Sequence, residues 1–320
     1  MKAIVYKEYG STDNLNLEEI EKPTPGDNEV LIKVHATSVN ASDYEFVKGE
    51  PLYTRMWGLR KPGNQILGSD IAGTIEATGS SVSEFKTGDE VFGDILGNWG
   101  GFAEYVAAPE KKLVLKPGSM TFEEVAAFPQ AAVVALQGIR DKGKVQPGQK
   151  VLINGAGGGG GTFAVQLAKF YGAEVTGVDH GEKLGLLQSL GADNVIDYTR
   201  EDYTRNISTY DYILDLVAHR SIFDCKRALA PHGRYALVGG SMSALFQTLT
   251  IGSFLSLIGS KKMGMLAVNS TAKDLSYMIE LFEAGKIKPV IDKQYSLSDV
   301  PEALRYVGEG HARGKVIITM

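Results

Sequence analysis

The stretch "INGAGGGGGTFAVQLAKFYG", residues 153–172, sets five consecutive glycines between an apolar run and a helical pattern. A flexible linker of this composition would carry more Gly and Ser on both sides and join segments that stand alone. Here both flanks are ordered by their own sequence. On the left, "QKVLIN" (149–154) is short, apolar and β-branched, and "QPG" before it is turn punctuation. On the right, Phe163, Ala164, Leu167, Ala168 and Tyr171 recur at helical spacing, and Gly172 follows as a stop. The order is therefore strand, Gly-rich turn, helix.

That order gives the glycines a chemical reason. A tight turn without side chains lets backbone N–H groups and a helix N-terminus approach a pyrophosphate. The next strand, "AEVTGVD", ends at Asp179, about 20 residues on, where a dinucleotide fold hydrogen-bonds the adenosine ribose. The glycine register stays open. Residues 155, 157 and 160 match G-x-G-x-x-G, whereas Ala156, Gly158 and Gly161 match its relaxed form with the last glycine directly before the helix. Gly159 and Gly160 belong to the same turn in either register.

A chain of 320 residues suggests two domains. From residue 151 strands and helices alternate, which predicts an α/β domain with a doubly wound parallel sheet. Residues 1–120 instead read as short strands ("EVLIKVHATSV", "DIAGTIEATG", "DEVFGD", "AEYVAAP") between Gly and Pro turns, which predicts an antiparallel, barrel-like domain. Thr121 and Glu124 form a capping-box pattern that opens a long helix at the junction. The strand-like tail "GKVIITM" returns to the first domain, so the expected division is 1–120 completed by 269–320, with 121–268 between.

Net charge of -5 and no basic run argue against nucleic acid as a partner. "MKAIVYKEYG" reads as a strand and carries no secretory pattern, so the expected location is cytoplasmic. The apolar stretch 244–259 is too short and polar to span a membrane, and reads as a lid, a subunit contact or a plain core segment. The lone cysteine, Cys225, lies in "SIFDCKRAL", where Ile222, Phe223 and Leu229 form one apolar face; a buried, inert thiol is expected.

Segments 38–49 ("SVNASDYEFVKG"), 67–93 ("LGSDIAGTIEATGSSVSEFKTGDEVFG"), 100–105 ("GGFAEY"), the glycine turn, 189–198 ("SLGADNVIDY") and 310–319 ("GHARGKVIIT") together resemble the medium-chain dehydrogenase/reductase superfamily. The closer resemblance is to its zinc-independent quinone oxidoreductase branch. It implies a Rossmann sheet plus a GroES-like barrel domain, an oxidoreductase activity with NADH or NADPH, and a homodimer paired through the strand around 263–268. Zinc-dependent members place a Cys in the segment that here reads "SVNASD", a Gly-His-Glu at Gly68, Ser69 and Asp70, and a further Cys near Gln130; those soft ligands are missing, and the five histidines are scattered. No zinc is expected. Without a Lewis acid to polarise an alkoxide, the chain suits hydride delivery to an acceptor that is already electrophilic, a quinone or an α,β-unsaturated carbonyl.

By the same resemblance Asn40, Asp43 and Tyr44 follow a strand that faces the nicotinamide and Tyr53 lies in a loop over the substrate, where a Tyr or Asn would hydrogen-bond a developing enolate or hydroquinone oxygen, although turn capping and surface packing explain those residue types equally well. Val134 stands where relatives carry a threonine near the nicotinamide, which leaves positioning to backbone groups around Val217 and Gly239. Lys183 and Tyr198 match positions that bind a 2′-phosphate, and His180 or Arg313 would assist. Asp179 and Glu182 oppose that phosphate, so the expectation is NADH, with NADPH tolerated. The competing reading is a nucleotide-binding protein with little turnover, structural or redox-sensing.

Overall fold

A computed structural model describes residues 1–205 and 209–320. The chain divides into two compact units. One comprises residues 1–131, 270–283 and 289–320; the other comprises 132–269 and 284–288.

The second unit is built on a six-stranded parallel sheet. Its strands are Lys150–Asn154, Glu174–Asp179, Asn194–Asp197, Tyr210–Asp215, Leu229–Leu237 and Lys262–Met265. Counted along the chain, they lie across the sheet in the order 3-2-1-4-5-6, so the topology reverses beside the first strand. Parallel strands buried on both faces need continuous apolar sequence, and Val151, Leu152, Ile153, Ile213 and Leu214 are fully covered. The helix Gly159–Phe170 buries Phe163, Ala164, Leu167 and Ala168 and ends at Gly172, whose φ of +80° is the left-handed conformation that suits glycine. Each residue of the expected helical stripe except Tyr171 is covered.

The first unit carries a seven-stranded sheet centred on the long strand Glu29–Val39. Along one edge it pairs with Asp70–Thr78, and along the other with Lys315–Thr319 at its C-terminal half and Tyr105–Pro109 at its N-terminal half. The tail strand thus pairs with Glu29–Val39 in the first unit.

Three local expectations differ from the structure. The capping box at Thr121 forms, with the Thr121 N–H donating to Glu124 at 2.9 Å, but its helix stops at Ala126; Pro129 lacks an N–H and starts a second helix, Pro129–Leu136. Val125, Ala126 and Phe128 bury in the first unit, which carries residues 121–131 with it. In "SIFDCKRAL", Ile222 and Cys225 are buried, whereas Phe223 faces solvent and Leu229 already opens a strand. The segment 244–259, left open between lid, subunit contact and core, lies in a continuous helical stretch that packs Ala244, Leu245, Ile251 and Leu255 on the core of the second unit and leaves Phe246, Leu249, Phe254, Leu257 and Ile258 exposed.

Phe128 is fully buried with its ring edge-on to Phe282, centroids 6.0 Å apart. Phe128→Ala should cost about 3–5 kcal/mol of stability in urea unfolding; a loss below about 1 kcal/mol would contradict this packing.

Candidate functional site

In the second unit the site begins where the first strand ends. Gly155 has φ of +79° and its N–H bonds to the Val178 carbonyl at 3.0 Å, which bends the chain back over the second strand. Gly158 caps the helix, and the amides of Gly159 and Gly160 head it, where first-turn N–H groups have no intrahelical acceptor. A side chain at Gly161 would place Cβ 2.2 Å from the Gly155 carbonyl oxygen. Gly155 makes the turn, Gly158 opens the helix, and Gly161 permits the close contact of helix and turn, while Ala156 is buried beneath them, so the turn takes residues from both registers.

Asp179 ends the second strand and points back into this turn. Its Oδ2 accepts the Gly157 N–H at 2.7 Å and its Oδ1 accepts the His180 N–H at 2.8 Å. Lys183 Nζ lies 3.4 Å from Oδ1, and both side chains are 9% exposed. The carboxylate is thus fixed by the glycine turn and by a buried ammonium. His180 and Tyr198 stand beside it, ring centroids 6.2 Å apart, with Tyr198 half exposed. Val217 is also half exposed, and a Cβ on Gly155 would come within 2.9 Å of it. Gly239 accepts the Ala218 N–H at 2.9 Å. Val134, partly buried on its helix, supplies no hydroxyl. Arg313 lies in the first unit, exposed, with its N–H donating to Asp292 at 2.9 Å.

The polar cluster of the first unit grows from strand register. Ser38 pairs with Asp70 and Val39 with Val316, which brings Asn40 and Lys315 to the same place. Lys315 is buried, and its ammonium donates to Asn40 Oδ1 at 2.6 Å, Asp70 Oδ2 at 3.2 Å and the Val39 carbonyl at 3.4 Å. Asp70, fully covered, accepts from Ser38 Oγ at 2.6 Å, Asn40 Nδ2 at 2.9 Å and the Gln130 N–H at 2.9 Å. Burying a charge without a partner is costly, and here every donor meets an acceptor. Asn40 therefore has both ends of its amide committed inside the cluster.

Asp43 is also fully buried, accepting the Asn40 N–H at 2.8 Å and the Gly68 N–H at 3.2 Å. Burial, reinforced by Asp70, pushes its pKa up to about 7 against those hydrogen bonds. Tyr44 packs its ring over Gly308. Tyr53 is the most open of the four candidates; its hydroxyl donates to Glu45 Oε2 at 2.8 Å. Burial and the Glu45 carboxylate raise the Tyr53 phenol well above its ordinary range, so it stays protonated.

Among the described residues no group of three or more His, Cys, Asp and Glu could hold a metal, and the Asp70 carboxylate is paired with Lys315. Sequence reasoning noted Asp70 only as a missing ligand and read Lys315 only as part of a strand. The signal for Lys315 was a lysine opening the β-branched run "KVIIT".

The alcohol dehydrogenase GroES-like domain family matches residues 26–118, and the zinc-binding dehydrogenase family matches residues 190–318. Among curated relatives, a 2-methylene-furan-3-one reductase of Solanum lycopersicum is 34% identical over 330 residues, 99% of this chain and 79% of its own length. An NADPH-dependent alkenal/one oxidoreductase of Arabidopsis thaliana is 33% identical with the same coverage. The quinone oxidoreductase structure from Coxiella burnetii superposes with a TM-score of 0.88 at 27% identity, covering 100% of this chain and 99% of that one.

Lys315→Met should lose about 3–5 kcal/mol, because it leaves the Asp70 carboxylate buried and unpaired. Lys315→Met combined with Asp70→Leu should lose less than the single change in urea unfolding; an equal or larger loss would mean that packing, not charge, sets the effect.

Proposed function

Because the chain belongs to the quinone oxidoreductase branch of the medium-chain dehydrogenase/reductase superfamily, we propose that it reduces quinones or α,β-unsaturated carbonyls with NAD(P)H. What supports this choice of acceptor is the buried Asp70–Lys315 pair, whose carboxylate is already balanced and so offers a Lewis acid no free ligand. When bound, NAD(P)H supplies the hydride. The chain's own tasks are to hold the nucleotide, orient the acceptor and keep a proton at the acceptor oxygen. Gly158, Gly159, Gly160 and Gly161 hold the pyrophosphate at the helix N-terminus, and Ala156 floors the turn. Val134, Val217 and Gly239 border the nicotinamide.

Tyr53 is the group of the first unit that meets the acceptor, since its phenol stays protonated and can exchange Glu45 for a developing enolate or hydroquinone oxygen. Asn40 and Asp43 act as positioning groups, and Tyr44 as the packed base of the same helix. In the nucleotide site Asp179 ends the second strand, where a carboxylate accepts ribose hydroxyls, which favours NADH; its pairing with Lys183 lowers the cost of a nearby 2′-phosphate, so NADPH is tolerated. The exposed Tyr198, with His180 beside it, is the place where a 2′-phosphate is tolerated. Zinc independence, a homodimer paired through the edge strand Lys262–Met265 and a cytoplasmic location complete the reading. Among the described residues no helix is long and apolar enough to cross a membrane.

Loss of reduced-nicotinamide absorbance with a quinone series and then an alkenal series tests the activity directly; tight nucleotide binding with no turnover on any acceptor would sink it. Tyr53→Phe should lower kcat/KM about tenfold, or about 1.4 kcal/mol of transition-state stabilisation, with nucleotide affinity unchanged. The wild type should favour NADH, and Asp179→Ser should shift the ratio of catalytic efficiencies toward NADPH. A wild-type preference for NADPH of about tenfold or more would overturn the role given to Asp179.

A further inference from the structure

Outside the residues assigned so far, the second unit holds one more buried carboxylate at the same end of its sheet. Asp215 is the last residue of the fourth strand and is fully covered. Its register partners are Asn154, the last residue of the first strand, and Leu237, the last of the fifth. Three donors converge on its carboxylate. Asn154 Nδ2 donates to Oδ1 at 2.7 Å, the Tyr235 hydroxyl donates to Oδ2 at 3.0 Å, and the Val217 N–H donates as well.

These donors come from the residue that precedes the glycine turn, from the fifth strand, and from the segment that leaves the fourth strand. Backbone bonds follow the same path: Leu216 N–H to the Asn154 carbonyl at 3.0 Å, and Val238 N–H to the Asp215 carbonyl at 2.8 Å. Val217 itself lies against Gly155 and is 45% exposed at the carboxyl end of the strands, the edge from which a doubly wound sheet binds its ligand. One carboxylate therefore sets the spacing between the glycine turn and the 216–218 segment.

We propose that Asp215 is a positioning residue for the nucleotide, holding the Val217 backbone and the glycine turn in register through its convergent hydrogen bonds. The inference rests on the dinucleotide reading given above. An amide in its place accepts through one oxygen only and turns an N–H toward the Asn154 donor, so the three bonds are not all kept. Burial pushes the Asp215 pKa up to about 6, against the hydrogen bonds from Asn154, Tyr235 and Val217 and the nearby His219. The other titratable groups facing it are Tyr203, Tyr235 and Cys225. Burial is the first cause that raises all three, the thiol to about 12, so they stay neutral while Asp215 titrates.

The test is direct binding of NADH, without acceptor, to wild type, Asp215→Asn and Tyr235→Phe between pH 5 and 8, with steady-state kinetics beside it. Asp215→Asn should weaken NADH binding tenfold or more at pH 7.5 while the acceptor KM stays within twofold. Tyr235→Phe, which keeps the carboxylate, should weaken it only two- to fivefold. Wild-type binding should weaken as pH falls through about 6, and Asp215→Asn should lack that step. NADH dissociation constants within twofold of wild type in both variants across this range would overturn the assignment. A wild type that binds neither NADH nor NADPH would instead remove the dinucleotide reading, and this inference with it.

Discussion

The buried pair of Asp70 and Lys315 joins parts of the chain that lie 245 residues apart in sequence. Its ammonium arrives on the tail strand, its carboxylate on Asp70–Thr78, and the amide between them on the residue that follows Glu29–Val39. Taking both charges out of water costs several kcal/mol per ion, and only complete hydrogen bonding makes up for it. That requirement constrains the sheet register, the start of the helix Ala41–Lys48 and the orientation of Asn40 together.

The two units are each held together by different physical means. In the second unit backbone geometry does the work: Gly155 needs its positive φ and Gly161 needs the absence of a Cβ, and the result is a turn lined by N–H groups. In the first unit, buried acids are held by neighbouring donors. Asp43 and Asp94, both covered, are pushed up to about 7 and about 6, chiefly by burial, so their charge depends on pH close to neutrality. Tyr53 differs in being open and protonated.

The strand–turn–helix unit and the acid at Asp179 were legible in the sequence because their signals are local: apolar period, glycines and stop residues within one short window. The strands of both units were legible for the same reason. What the sequence did not show depends on contacts between distant residues. No spacing rule connects Lys315 to Asp70, or Asn154 to Asp215, since only the register of neighbouring strands brings them together. Lys183 read as a free cation for a phosphate, and its pairing with Asp179 appears only when the strand tip and the following turn are built. The 244–259 segment was ambiguous because apolar content alone cannot separate a core helix from an exposed one.

The central claim, hydride delivery to an activated acceptor without a metal, is tested most directly by isotope transfer. Chelator-treated protein is given NADH carrying deuterium at both C4 positions and an α,β-unsaturated ketone, and the product is read by NMR. One deuterium at the β-carbon, with the α-hydrogen drawn from solvent, is the expected result. Product formation that requires added zinc, or a β-carbon without label, would contradict it.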